Sequence, residues 1–452
     1  MGKYESYQET PYTWLPKVPN HWFSKTIRSI TKLSNERCGD RRYTLLSVYR
    51  EYGVIPKASR DDNRNVESED LSNYKVVAPG DLVLNKMKMW QGSLGVSKYQ
   101  GIVSPAYIVC NVMDRTINSS YLHMLLRSSG FKTYYNQFSY GVRVGQWDMH
   151  YDDFKKLLIY LPPREEQDQI VHYLDWRISK INQLIAEKKQ QIQVLKEQQQ
   201  KLICEVITKG LYSNVDYKDS RVAWIGNIPD HWSAIRCKYL FRERDERSKE
   251  GAETHLSMSQ KYGMVPDSQL EEHRMLSESY AGGKLCYQDD LVLNRLKAHL
   301  GVFALAPQFG VISPDYTVLI PNTERIIPSF GEMVLKSALC RRELRVRVRG
   351  IIEGFWRLYT DDFYTIYLPV PPIEEQKEIM QYIDAQSKKT VALENALNKE
   401  IELLHELRTR LISDVVTGQI DVRNVEVPDF ELVEETVDVA DIDENVNIEE
   451  EE

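Results

Sequence analysis

The chain contains no Cys-x-x-Cys, no His-Glu-x-x-His and no apolar run approaching a membrane span. Each absence removes a class of protein. The six cysteines (Cys38, Cys110, Cys204, Cys237, Cys286, Cys340) are scattered, which fits reduced thiols packed as small hydrophobes in a cytoplasm. The nine histidines show no metal-ligand spacing. The start, MGKYESYQET, lacks the apolar core of a signal peptide, so neither membrane nor export is expected. A strong positive charge is also missing: 58 Lys and Arg against 66 Asp and Glu leave −8.

That total conceals a division. The stretch after Arg423 holds thirteen carboxylates and no Lys or Arg, so residues 1–423 carry −8 + 13 = +5. A mildly basic body is followed by an acidic tail, residues 424–452. The tail repels itself and offers little to bury, so disorder is expected there. With 452 residues the body exceeds one ordinary core, and two or more domains are expected.

What the chain does have is a repeat covering nearly its whole length. LPPREEQDQI at 161–170 returns as VPPIEEQKEI at 370–379. WLPKVPNHW (14–22) returns as WIGNIPDHW (224–232), DLVLNK (81–86) as DLVLNR (290–295), and GIVSPAY (101–107) as GVISPDY (310–316). The offset stays at 209 or 210. Two copies of one α/β unit, each followed by a helical segment, are the simplest account. DLVLN and GIVSPAYIV read as strands. Residues 119–135 read as one helix, capped by Ser119 or Ser120. The four tryptophans at 14, 22, 224 and 232 read as core or domain-edge packing.

In the helical segments two prolines suit a helix entry, and Glu165, Glu166 and Asp168, like Glu374 and Glu375, favour the positive end of the helix. A heptad follows in each. Leu174, Ile178, Ile181, Ile185, Lys188, Ile192, Leu195, Gln199, Leu202 and Val206 are spaced alternately four and three apart. So are Ile383, Ser387, Thr390, Glu394, Leu397, Ile401, Leu404, Arg408, Leu411 and Val415. Two such stripes are expected to bury each other. The first helix carries the chain roughly 70 Å away at 1.5 Å per residue, so a pairing second helix must run back. The expected fold is therefore α/β (α+β): modules at 1–162 and 213–371, and helical spacers at 163–212 and 372–423. The spacers would form an antiparallel coiled coil with a module at each end, related by an approximate twofold axis.

The copies agree at turns and apolar positions and differ at polar positions between them, as related readers of different targets would. Arg and Lys suit phosphates and guanine edges, and Asn and Gln suit adenine. DNA-binding candidates in the first module are Asn85, Lys86, Lys88, Gln91, Arg143 and Gln146. In the second they are Asn294, Arg295, Lys297, His299, Arg345, Arg347, Arg349 and Arg357. The alternation of Arg345, Arg347 and Arg349 with valines reads as a strand with three guanidiniums on one face.

Two variable modules alternating with PP-x-EEQ helices resemble the specificity subunit of type I restriction–modification systems. The resemblance spans about residues 10–420 and includes TKGL (208–211) and VVTGQID (415–421) closing the two helices. It implies a non-catalytic subunit that reads a bipartite, asymmetric site in double-stranded DNA. It also implies two methyltransferase subunits docked on the helices and their flanks, and two restriction (motor–nuclease) subunits. S-adenosylmethionine, ATP and Mg would belong to those partners, with no cofactor or metal in this chain. The acidic tail is not part of the pattern.

Chemistry within the chain is scarce. SPAY (104–107) and SPDY (313–316) lack the second proline of an adenine-methyltransferase turn, and GGKL (282–285) lacks the rest of a phosphate loop. Glu375-Gln376-Lys377 matches the end of a nuclease motif, but lies in a helix's first turn. The alternative to a DNA reader is a scaffold with two peptide- or glycan-binding domains on a coiled-coil rod.

Overall fold

A computed structural model describes residues 2–50, 52–59, 70–141, 147–259, 263–269, 280–350 and 356–434. The chain divides into two units, residues 1–189 with 398–452, and residues 190–397. Each unit thus combines one module with part of both spacer helices.

The first module is built on a four-stranded antiparallel sheet of β1 (Thr31–Ser34), β2 (Leu82–Leu84), β3 (Leu94–Val96) and β4 (Ile108–Val112), in the order β1-β4-β2-β3. Two helices follow, α1 (Ser119–Arg127) and α2 (Ser129–Gln137), and then the first spacer helix, α3 (Arg164–Lys209). The second module repeats the plan with β5 (Phe241–Arg244), β6 (Leu291–Asn294), β7 (Phe303–Leu305) and β8 (Tyr316–Pro321), in the order β5-β8-β6-β7. Helices α4 (Pro328–Lys336), α5 (Ala338–Arg347) and the second spacer, α6 (Ile373–Val416), complete it. The DLVLN strands are as expected, because three consecutive apolar residues in each are buried on both faces.

The single helix expected over 119–135 is two helices. Ser128, at φ −64° and ψ 155°, breaks the run. The turn brings Gly130 against the Trp14 indole, where a Cβ would lie 2.3 Å from Cε3. The cap of α1 is Asn118 rather than a serine: its side chain accepts from the N–H groups of Ser120 and Tyr121 at 2.8 and 3.1 Å.

The Pro-Pro-x-Glu-Glu-Gln passages have a sharper purpose than helix entry. Glu166 is buried, and its carboxylate accepts from Tyr4 OH at 2.7 Å and Trp22 Nε1 at 3.1 Å and pairs with His21 Nε2 at 2.7 Å. Glu375 meets His231 Nε2 at 2.7 Å and Trp232 Nε1 at 3.0 Å. The following glutamines are buried too. Gln167 donates to Pro162 O and Thr116 O and accepts from Asn118 N–H, and Gln376 does the same with Pro371, Arg325 and Ile327. Each motif therefore ties the start of a spacer helix to its module through buried, charge-assisted bonds.

The heptad register holds at every position named above. All ten residues of each stripe are buried or half-buried, from fully buried Leu174 and Val415 to half-buried Gln199 and Glu394. Within the first unit Arg408 Nη1 donates to Asn182 Oδ1 at 3.0 Å, and Lys188 pairs with Glu400 at 2.6 Å. Within the second, Lys196 pairs with Glu394 at 3.1 Å and Gln199 Nε2 donates to Ser387 Oγ at 2.9 Å. One partner number rises as the other falls, so α3 and α6 pair antiparallel in each unit. Of the polar members of the second stripe, Ser387 meets Gln199 of the first, and Glu394 and Arg408 meet Lys196 and Asn182 beside it on α3.

The tail departs from the expectation of disorder over its first part. Residues 424–434 lie along α3, with Val425 and Val427 packed against the first unit's core. Residues 435–452 lie outside the described residues. Charge repulsion predicted the whole tail unbound, but four apolar residues, Val425, Val427, Phe430 and Val433, give its first third something to bury and pair.

Candidate nucleic-acid interface

Each module presents one turn packed against one hairpin stem. In the first, strand β2 runs into a short 3-10 turn, Lys86–Gln91, closed by Gly92 at φ +89°, a left-handed conformation that favours glycine. This turn packs on Trp147 and Asp148. The Trp90 and Trp147 rings meet edge to face at 5.2 Å, and Lys86 Nζ lies 3.3 Å from Asp148 Oδ2. Asp148 pairs with Tyr140 across an antiparallel stem, Ser139–Tyr140 against Asp148–Met149. Arg143 and Gln146, between those two strands in sequence, lie outside the described residues.

The second module repeats the arrangement 209 positions on. Arg295 follows β6, and its carbonyl accepts from Leu358 N–H at 3.0 Å. Arg349 and Arg357 exchange backbone hydrogen bonds of 2.9 and 2.8 Å, forming the equivalent stem. The turn Ala298–Leu300 ends at Gly301, again left-handed at φ +85°.

The candidates separate by environment. Lys88, Lys297, Arg345, Arg349 and Arg357 are exposed, and Lys86 and Gln91 are half-buried. Asn85 is buried, its Nδ2 3.3 Å from Tyr107 OH, so it supports the turn. Asn294 is also structural: its Oδ1 accepts from Leu296 and Lys297 N–H at 3.1 and 3.3 Å. Arg295 donates from Nε to Thr317 Oγ1 at 2.8 Å. The side chain of His299 lies outside the described residues.

The strand expected for 345–349 is corrected. Arg345 and Arg347 are in the last turn of α5, and only Arg349 is in the stem. Cys340 and Leu344, four apart and fully buried, set a helical period that the Arg-Val alternation obscures. Two residues apart on a helix, Arg345 and Arg347 point to different sides. Arg347 is held by Glu343 and by Thr365 Oγ1 at 3.1 Å, and Arg349 pairs with Asp362. Arg345 instead falls on the side of Arg341 and Arg342.

Exposed aromatics were missed at both stems. Tyr140 stacks on His150 at 4.9 Å with planes 21° apart, and Tyr359, the counterpart of His150, is exposed. An aromatic beside a Gly-x-Arg run, as in SYGVR, was the available signal.

Burial pushes the Cys110 and Cys286 thiols up to about 12, which fits packing thiols. Burial holds His123 down to about 3, helped by Arg127, and its ring lies against Gly53 and Gly95. Lys25 and Thr116 hold Asp114 at about 2. Among the described residues no group of His, Cys, Asp or Glu is arranged to hold a metal, and no helix is long and apolar enough to cross a membrane.

Two repeated modules, each with its own turn-and-stem surface and each tied to paired antiparallel helices, define a protein with two equivalent surfaces of unlike side chains. The family model for the type I restriction modification DNA specificity domain matches residues 19–194 and 278–403, and the chain belongs to that family. It is 24% identical over 382 residues to the putative type I restriction enzyme MjaX specificity subunit of Methanocaldococcus jannaschii, covering 79% of this chain and 82% of that one. It is 22% identical over 405 residues to the MjaVIII specificity subunit of the same organism, covering 85% and 87%. A chain solved in a study of complex assembly and conformational transition of the type I R-M system shares the fold. Its TM-score is 0.59 at 15% identity, over 89% of this chain and 99% of that one.

Proposed function

We propose that this chain is the sequence-reading subunit of a type I restriction–modification complex, with one half of a split, asymmetric DNA site read by each module. The observation that carries this reading is the pair of equivalent surfaces with unlike side chains. Lys86, Asp148 and Tyr140 stand in one where Arg295, Arg357 and Arg349 stand in the other. Equivalent backbones present both to a duplex in related ways, and different side chains make the half-sites differ. The chain is non-catalytic in this reading. Two methyltransferase subunits dock on the spacer helices and their flanks, two restriction subunits complete the complex, and S-adenosylmethionine, ATP and Mg belong to those partners. The complex works in the cytoplasm, where its DNA is.

The test is to map methylated adenines across a genome in cells with and without this chain, alongside its methyltransferase subunit. A two-part motif that vanishes with the chain is expected; an unchanged pattern refutes the reading. Salt separates it from a peptide- or glycan-binding scaffold. Binding through several phosphates weakens steeply as salt rises, whereas binding to a neutral ligand does not.

A further inference from the structure

Residues 424–434 have no counterpart after the first spacer helix, where the chain passes directly into the second module. They dock on one face of α3 mainly through their backbone. Gln169 Nε2 donates to the carbonyls of Val422 and Val425 at 3.2 and 2.8 Å. Asn182 Nδ2 donates to Val433 O at 2.8 Å, and Val433 N–H donates to Ser179 Oγ at 3.1 Å. The Phe430 ring lies 5.7 Å from that of His172. Ser179 and Asn182 are buried, Asn182 also accepting from Arg408 of α6.

Among the described residues nothing covers the same register on α6. Lys388 and Val391 stand at the positions of Ser179 and Asn182, and Gln381 and Tyr382 at those of His172 and Tyr173. All four are exposed, Val391 by 50% and Tyr382 by 37%, whereas Tyr173 is fully buried. Among the described residues, one spacer helix has this face covered by residues 424–434, and the other leaves it exposed.

We propose that residues 424–434 form an autoinhibitory strap. It competes with a methyltransferase subunit for the α3 face, while the α6 face takes such a subunit unopposed, so two copies load unequally. This rests on the assembly reading above. The strap itself indicates the chemistry that fits: Phe430 and Val433 set among Asp429, Glu431 and Glu434. On α6, Tyr382 and Val391 offer apolar contact beside Lys388 and Lys389, so the occupant presents apolar side chains between carboxylates. Because the strap is tethered, it competes at a high effective concentration without needing high affinity.

The test titrates the methyltransferase subunit into three proteins, with stoichiometry from native mass spectrometry and affinities from calorimetry. One is the full chain. The second ends at Pro428, which keeps the packed Val422, Val425 and Val427. The third is full-length Val433→Pro, which removes the N–H donated to Ser179 without truncation. The full chain should bind its second copy at least tenfold more weakly than its first, and both variants should narrow that gap to under threefold. Val391→Glu should weaken the first step only. An unchanged gap in both variants, or a second step weakened by removing the strap, overturns the proposal while leaving the assembly reading intact. Failure of all three proteins to bind any methyltransferase subunit removes the assembly reading, and the strap's role with it.

Discussion

Glu166 accepts a hydrogen bond from Trp22 Nε1 at 3.1 Å across 144 residues of chain, and Glu375 accepts one from Trp232 at 3.0 Å. One buried carboxylate thus fastens each module to its spacer helix. Glu166→Ala strands the indole N–H and the Tyr4 hydroxyl without their acceptor, and should cost the first unit about 2–4 kcal/mol. Denaturant unfolding followed by tryptophan fluorescence measures this. A loss below 0.5 kcal/mol would mean the junction is held by packing alone.

His123 makes the first unit sensitive to acid. Its folded pKa of about 3 lies below the ordinary histidine value of 6.5, so the unfolded chain takes a proton that the folded chain refuses. The stability this represents is present above pH 6.5 and is lost as pH falls toward 3, by about 1.4 kcal/mol per pH unit. Between pH 6.5 and 5 the wild type should lose about 2 kcal/mol more than His123→Gln. Unfolding midpoints of both proteins at pH 7, 6 and 5 check this; parallel curves would contradict it.

If each module reads one half-site as proposed, the two surfaces should fail separately. Lys86→Ala with Lys88→Ala should blur or weaken the first half-site alone, and Arg349→Ala with Arg357→Ala the second. Each lost phosphate contact should lower the salt slope of binding by about 0.9. Methylation footprints and binding at several salt concentrations read both effects. A pair that degrades both half-sites equally would contradict the division.

Spacer length should set the unread gap. Deleting one heptad from each helix, residues 190–196 and 391–397, keeps the stripes in register and removes about 10 Å of helix. At 3.4 Å per base pair the gap should shorten by about three base pairs. An unaltered gap in the methylated motif would show that something else spaces the modules.

The repeat, the heptads and the Pro-Pro entries were legible in the sequence because periodicity and breaker residues are local. Gln199 facing Ser387 and Lys196 facing Glu394 followed the antiparallel register, although the second stripe is the more polar. Other features needed partners distant in the chain. Glu166 looked like a residue placed for the helix macrodipole, and nothing local indicates that Trp22 and Tyr4 donate to it. Arg345, Arg347 and Arg349 alternated like a strand, but buried Cys340 and Leu344 settled a helix end. Asn85 and Asn294 match the residue types of base readers, and in the fold they bond Tyr107 and the turn backbone. Which polar residues are exposed depends on the turn-and-stem packing, which residue type alone does not report.

The first unit's core includes Leu411, Val415, Val416 and Val422, contributed by the last turns of α6 and the residues after it. A ribosome releases these only near the end of synthesis, so the module translated first cannot close its core until almost everything else has emerged. The second unit, residues 190–397, has all its parts earlier. Nascent chains halted before residue 411 would carry an unfinished first module with Trp22 and Ile181 short of their late-arriving neighbours, and that interval is when aggregation or chaperone capture is most to be expected.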